Sequence, residues 1–221
     1  MEMAAGSVVT GTLVPGTMLT ESRWLAERIA DMGISWGTGD SRVSGTLWWC
    51  MAASSLVDPI ASAYARDLPA PNPELERLLC EIRPDGGVER VLPVRWDEAA
   101  AAEPMPDGGV GPALRKTLGR IIPVVAQVSG AGIPSLWAIV ADAIGNRALD
   151  AGNPEAGSRL AHEVAGRLPV PRFMDIADRT FVRRISCCLV FEVPGCQMCT
   201  SCPKRPAAER HTLLTELATR E

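Results

Sequence analysis

The cysteines of this 221-residue chain are concentrated in one short stretch, ISCCLVFEVPGCQMCTSC, where five of the seven occur within eighteen positions. Two are adjacent and three follow at intervals of three: Cys187, Cys188, Cys196, Cys199 and Cys202. Packing of small side chains does not require such crowding. The first residues, MEMAAGSVVTGTLVPGTM, have an acid at the second position and interrupt their apolar residues with Gly, Thr and Pro, unlike a secretory signal, so an intracellular location is expected. In a reducing compartment, clustered thiols indicate a metal centre rather than disulfides.

Several metal centres are compatible with parts of this spacing. A four-cysteine zinc site uses two separated C-x2-C pairs, whereas this chain opposes one such pair to an adjacent pair. The run Cys196-x2-Cys199-x2-Cys202 also matches the start of a bacterial [4Fe–4S] sequence, but Pro203 follows the third cysteine rather than the fourth. The plant-type [2Fe–2S] spacing is absent.

A further interpretation uses four cysteines with the spacing C-C-x10-C-x2-C. These are Cys187, Cys188, Cys199 and Cys202. With this spacing, RRISCCLVFEVPGCQMCTSCP resembles the C-terminus of the FhuF-type ferric-siderophore reductases. The paired arginines, the Pro-Gly turn and the proline after the last cysteine agree as well. Two positions depart from the family: Cys196 stands in a turn where the family often has glycine, and Ile185 separates Arg184 from Ser186.

The resemblance implies a [2Fe–2S] cluster bound by Cys187, Cys188, Cys199 and Cys202. It also implies an enzyme that takes one electron from an external donor, such as a ferredoxin or a reductase, and passes it to a ferric siderophore of the hydroxamate class, releasing ferrous iron. Cys196 is expected to be a bystander. Arg183 and Arg184 are candidates for tuning the cluster or docking an acidic electron donor.

The chemistry of the four-cysteine arrangement is intelligible from the residues alone. Two thiolates on one tetrahedral iron at about 2.3 Å lie roughly 3.8 Å apart, a separation that adjacent residues reach where the backbone turns. The β-like run LVFEV followed by Pro-Gly predicts a hairpin that returns the second pair of cysteines to the first. Two other classes stay open: a non-enzymatic iron–sulfur sensor or electron-transfer module, and a zinc-stabilised interaction protein.

Helices that would position this segment dominate the first three quarters of the chain. SRVSGTLWWCMAASSLVDPIASAYARD predicts a mostly buried helix with a break or kink at Asp58-Pro59, and NPELERLL predicts a short helix. CEIRPDGGVERVLPVRW predicts a hairpin. Further helices are predicted over 112–129, with a kink at Pro123, and over 134–150 and 154–168. Cys50, Cys80 and the tryptophans are expected to pack in the core.

These patterns predict an α+β fold: a mainly helical domain with short β-hairpins and a C-terminal cysteine-rich iron–sulfur hairpin. We assign 1–179 to a mainly helical siderophore-binding region, with an internal linker over 97–111. Residues 180–205 form the [2Fe–2S]-binding segment, and 206–221 a C-terminal helix or tail.

Composition and motifs argue against several classes of binding partner. The formal net charge of −4 and a pI near 5.3 provide no basic field for nucleic acid. No apolar window is long and uncharged enough to suggest a membrane span, so a cytoplasmic location is expected. Neither G-x-G-x-x-G nor a Walker sequence suggests a nucleotide site, which is why the electron donor is expected to be external.

Overall fold

The computed structural model describes residues 11–94 and 108–220. The helices in these ranges are α1 (Ser22–Trp36), α2 (Ser41–Ala65), α3 (Val110–Ser129), α4 (Ile133–Asp150), α5 (Pro154–Val164) and α6 (Ala207–Ala218). The strands are β1 (Thr12–Pro15), β2 (Leu78–Ile82), β3 (Val88–Pro93), β4 (Phe173–Ile176) and β5 (Arg179–Val182). The predicted class, α+β and mainly helical with a cysteine-rich C-terminal region, is confirmed.

The strands form two small antiparallel sheets. One has the order β1-β2-β3, with Cys80 of β2 facing Val14 on one side and Val91 on the other. The other is the hairpin β4-β5, which leads directly into the cysteine-rich segment. The predicted hairpin around Asp85 is the β2-β3 turn, where Gly86 takes the left-handed backbone that turns of this kind require.

Helix α2 lies at the centre of the hydrophobic core and packs chiefly on α4 and α1. Trp48 and Trp49 are fully buried, and each indole N–H still has an acceptor: Trp48 donates to the Gly86 carbonyl and Trp49 to the Leu136 carbonyl, both at 2.9 Å. Burying a tryptophan without such a partner would be costly. These two side chains therefore pack in the core, as predicted from the sequence. Trp36 does not follow the prediction: it is 38% exposed at the end of α1.

The structure corrects two local predictions. Helix α2 continues through Pro59 without a break, because buried residues on both sides of the proline keep the helix against the core. Helix α3 contains Pro123 within its range, as predicted. NPELERLL forms only a 3₁₀ turn at Leu75–Arg77, and its last residues begin β2, because pairing with β1 and β3 overrides the local helical preference. The predicted linker over 97–111 lies outside the described residues except for its last four, which lead into and begin α3.

The hairpin β4-β5 sits on α4, and a glycine permits the close approach. A Cβ at Gly145 would lie 3.0 Å from Pro171 Cβ and 3.4 Å from a methyl group of Val182. The end of β5 is thereby held beside the middle of α4, and the cysteine-rich segment starts there. Within the described ranges, no helix combines the length and the apolar character needed to cross a lipid bilayer.

Candidate metal centre

Four of the clustered cysteines meet as two pairs. The Sγ atoms of Cys187 and Cys202 lie 4.0 Å apart, and the thiols of Cys188 and Cys199 interact closely enough to shift each other's pKa. Each pair joins one member of the double cysteine to one member of the C-x2-C pair. Two thiolates on one tetrahedral iron are separated by roughly 3.8 Å, so the observed 4.0 Å needs little adjustment.

This pairing differs from the one suggested by adjacency alone, in which Cys187 and Cys188 share an iron. The chain around them is neither helix nor strand, and each of the two cysteines interacts with a different member of the C-x2-C pair. The connection that we predicted as a β-like run, LVFEV, is a 3₁₀ turn at Val190–Glu192 followed by the Pro-Gly turn.

A left-handed residue at Leu189 organises the backbone of the first two cysteines. Leu189 has φ of 62°, an uncommon conformation for a residue with a branched side chain. Its own N–H acts to lower the pKa of the Cys187 thiol, and the next N–H, of Val190, acts to lower the pKa of the Cys188 thiol. Successive backbone N–H groups turned to one side form an anion-binding concavity, which here faces the two sulfur atoms.

The thiol of Cys188 is the one most readily ionised. Its pKa is lowered to about 5, chiefly because the Cys199 thiol donates a hydrogen bond to it, with further contributions from the Val190 N–H and the charge of Arg184. The pKa of Cys199 is raised because it is the donor in that bond. Burial raises the pKa of Cys187. Thiolate is the form that binds metals.

Of the two arginines singled out in the sequence, only Arg184 reaches the thiols. Its Nη1 lies 3.5 Å from Cys199 Sγ, and its side chain is mostly buried, with 18% exposed. Arg183 is exposed. The structure thus separates the two arginines that the sequence presents as equivalent.

Two further arginines brace the second half of the segment through its backbone. Arg205 donates to the carbonyl groups of Cys199 at 3.0 Å and Met198 at 2.6 Å. Arg210, on α6, donates to the carbonyl of Cys202 at 3.4 Å. These bonds hold the C-x2-C pair in the conformation that faces the first two cysteines.

A buried aspartate that sequence reasoning missed ties the segment to the helical domain. Asp142, on α4, is 3% exposed and accepts hydrogen bonds from the backbone N–H groups of Ile185 and Ser186 and from the Ser186 hydroxyl. Its Oδ2 also lies 3.7 Å from Arg184 Nε. The sequence did contain one signal for this contact: Asp142 is a lone acid within an apolar helix. A carboxylate buried in such a helix requires hydrogen-bond partners elsewhere in the fold.

The remaining cysteines have other surroundings. Cys196 packs against the hydrophobic core, and the thiol–thiol contacts in the described part of the chain join the other four cysteines of the segment. Burial raises the pKa of Cys80 to about 12, as expected for a packed thiol. Cys50, on α2, also has its pKa raised to about 12, first by burial and then by the nearby Cys188.

The pairwise arrangement suits a centre with two metal ions. Within residues 11–94 and 108–220, no group of three or more His, Cys, Asp or Glu side chains is placed to hold a metal ion, so the assignment of a cluster depends on the two pairs. A [2Fe–2S] cluster with four cysteine ligands draws two thiolates to each iron. Two sulfur pairs with N–H groups and an arginine directed at them fit that requirement.

The fold and the site define a mainly helical α+β protein with a cysteine centre suited to an iron–sulfur cluster. Residues 184–204 match the model of the FhuF 2Fe-2S C-terminal domain. The match covers about a tenth of the chain, includes all four paired cysteines, and is consistent with the FhuF-type family. It supports a [2Fe–2S] cluster as the cofactor. A search of curated proteins gave no match to the chain.

Proposed function

We propose that this protein is a ferric-siderophore reductase, in which a [2Fe–2S] cluster on Cys187, Cys188, Cys199 and Cys202 serves to reduce a ferric siderophore of the hydroxamate class. The observation that carries the proposal is the convergence of these four cysteines as two pairs, within the segment that matches the FhuF 2Fe-2S C-terminal domain.

When bound, such a cluster supplies one electron at low potential. Siderophores hold ferric iron through hard oxygen ligands, and ferrous iron, which carries less charge and is softer, is held more loosely and passes to nitrogen or sulfur ligands. Reduction is therefore the step that releases the metal. The substrate leaves as ferrous iron and the free siderophore.

The residues of the chain prepare the site for this role. The Leu189 and Val190 N–H groups and the Arg184 guanidinium are directed at sulfur atoms. Hydrogen bonds and positive charge at cluster sulfurs stabilise the more negative, reduced state. Asp142 and the two bracing arginines keep the segment in place.

We place the siderophore in a cleft between α2, β3 and α4, within the proposed siderophore-binding region 1–179. The cleft has a volume of about 290 Å³ and is lined in part by Ser54, Asp58 and Arg147. A neighbouring cleft of about 520 Å³ shares Asp58 and Pro59 with it. Ser54 is one helical turn, about 6 Å, from Cys50, and Cys50 is near enough to Cys188 for its charge to raise the pKa of the Cys50 thiol. A ligand in this cleft would be close to the cluster.

We further propose that the electron comes from an external protein, such as a ferredoxin or a reductase, and that the reaction occurs in the cytoplasm. Arg183 is exposed at the start of the proposed cluster-binding segment, 180–205. An exposed positive charge beside the cluster favours an acidic donor.

The helix α6 belongs to the third proposed region, 206–221.

The proposal is tested by single-turnover kinetics. The protein is purified without oxygen, reduced, freed of excess reductant, and mixed in a stopped-flow instrument with a panel of ferric siderophores and with a simple ferric chelate. We expect cluster absorption to recover faster with at least one hydroxamate siderophore than with the chelate, while a ferrous-specific dye reports one Fe(II) per electron.

Other outcomes support the alternatives. A coloured protein that every siderophore reoxidises no faster than the chelate does would be a sensor or an electron-transfer module. A colourless protein with stoichiometric zinc would be a zinc-stabilised protein, and either result would overturn the reductase proposal.

A further inference from the structure

Two opposite charges meet at the base of the cysteine segment, and they are held there by different parts of the fold. Arg184 belongs to the segment itself, and Asp142 belongs to α4 of the helical domain. The Arg184 guanidinium lies between the Cys199 thiol and the Asp142 carboxylate, with Nη1 3.5 Å from Cys199 Sγ and Nε 3.7 Å from Asp142 Oδ2. Only 18% and 5% of the two side chains are exposed, so salt and water screen them weakly.

We propose that Asp142 and Arg184 form a charge pair that sets the reduction potential of the cluster, with Arg184 raising it and Asp142 lowering it. Asp142 is then a positioning residue with an electrostatic effect of its own, contributed by the helical domain. The inference rests on the cluster part of the proposed function. It does not depend on the siderophore.

The sign of each effect follows from the charge of the cluster. Reduction adds one negative charge to a centre that already has four thiolate ligands. A nearby guanidinium stabilises that added charge, and a nearby carboxylate opposes it. The neutral variants Arg184→Gln and Asp142→Asn should therefore shift the potential in opposite directions.

Asp142→Asn is a mild change at this position. The carboxylate uses Oδ2 for the Ser186 N–H at 2.9 Å and the Ser186 hydroxyl at 2.5 Å, and the same oxygen lies 3.2 Å from the Ile185 nitrogen. An amide with its oxygen in the place of Oδ2 keeps the acceptor for both Ser186 donors, and its nitrogen in the place of Oδ1 loses the 3.0 Å bond from the Ile185 N–H. Apart from that one bond, the substitution removes only the charge.

The experiment is an anaerobic redox titration of the holoprotein, followed by visible absorption and by the paramagnetic signal of the reduced state, without any siderophore. We expect Arg184→Gln to lower and Asp142→Asn to raise the equilibrium constant for one-electron reduction by about three- to tenfold each. Tenfold corresponds to about 59 mV. The double variant should return close to the wild-type potential.

Matched controls separate charge from structure. Arg183→Gln removes an exposed neighbouring charge, and Asp150→Asn removes an acid from the same helix, where it pairs with Arg147 at 3.0 Å near the surface. Both should leave the potential nearly unchanged. Arg184→Lys keeps the charge and should stay closer to the wild type than Arg184→Gln does.

Each outcome of the titration either supports or contradicts the charge-pair proposal. Shifts in the same direction for the two neutral variants, or equal shifts for Arg184→Lys and Arg184→Gln, would overturn the charge-pair proposal while leaving the cluster in place. If Asp142→Asn fails to bind iron, the comparison of the two Arg184 variants still tests the electrostatic effect. A wild-type protein without a cluster would instead contradict the proposed function.

Discussion

The hydroxyl of Ser186 offers a direct measure of how firmly the cysteine segment is anchored. It donates to Asp142 Oδ2 at 2.5 Å inside the protein, where Ser186 is 3% exposed. A hydrogen bond to a charged group contributes about 1.5–3 kcal/mol to stability. Because the carboxylate keeps its two backbone donors in Ser186→Ala, we expect a loss near the lower end, about 1.5–2 kcal/mol.

The measurement is thermal or urea unfolding of the iron-free, fully reduced chain. For a chain of this size, 1 kcal/mol corresponds to about 2–4 °C, so Ser186→Ala should lower the melting temperature by about 3–8 °C. The control is Ser62→Ala, which removes a serine-to-aspartate hydrogen bond of 3.4 Å at the surface, and it should change stability by about 0.5 kcal/mol or less. Equal effects of the two substitutions would refute the anchoring role.

Three other predictions concern the cluster and its substrate. Cys196→Ser should keep iron, sulfide and visible absorption, whereas Cys199→Ser should lose or destabilise the cluster; the reverse result would contradict the ligand assignment. Iron analysis and reductive titration should give two irons and one electron per chain, and four irons would favour a ligand set that includes Cys196. Ser54→Trp should fill the proposed cleft and abolish selective siderophore reduction with the cluster intact, while Ser135→Trp, at an exposed position of α4, should not.

The spacing of the cysteines carries much information about the site and little about its internal geometry. Four thiols at an unusual spacing predicted an iron–sulfur segment, and the family match supports that prediction. Which thiol faces which depends on the left-handed backbone of Leu189 and on the 3₁₀ turn after it. Neither feature has a local signature, because leucine does not favour positive φ and LVFEV has the composition of a strand.

The hydrogen bonds between Asp142 and Ser186 could not be predicted from the sequence for a different reason. Asp142 and Ser186 are separated by 44 positions, and nothing near either residue indicates the other. Helix boundaries followed hydrophobic periodicity well, but the break considered at Asp58-Pro59 does not occur, because tertiary packing keeps α2 continuous through Pro59. The helical prediction for NPELERLL was wrong because strand pairing, a non-local effect, outweighed the local helical preference of these residues.

The hydrogen bonds to Asp142 also determine where the protein would open. The amides of Ile185 and Ser186 are bonded to a residue of the helical core, so in hydrogen exchange they belong with α4 and should exchange slowly, with the core as a whole. From Cys187 onward the backbone is held by turns and arginine contacts, and Leu189 and Val193 are buried against the hydrophobic core. A local opening that withdraws these two side chains would release all four cysteines together for cluster assembly, while the hydrogen bonds to Asp142 keep the start of the segment attached to α4.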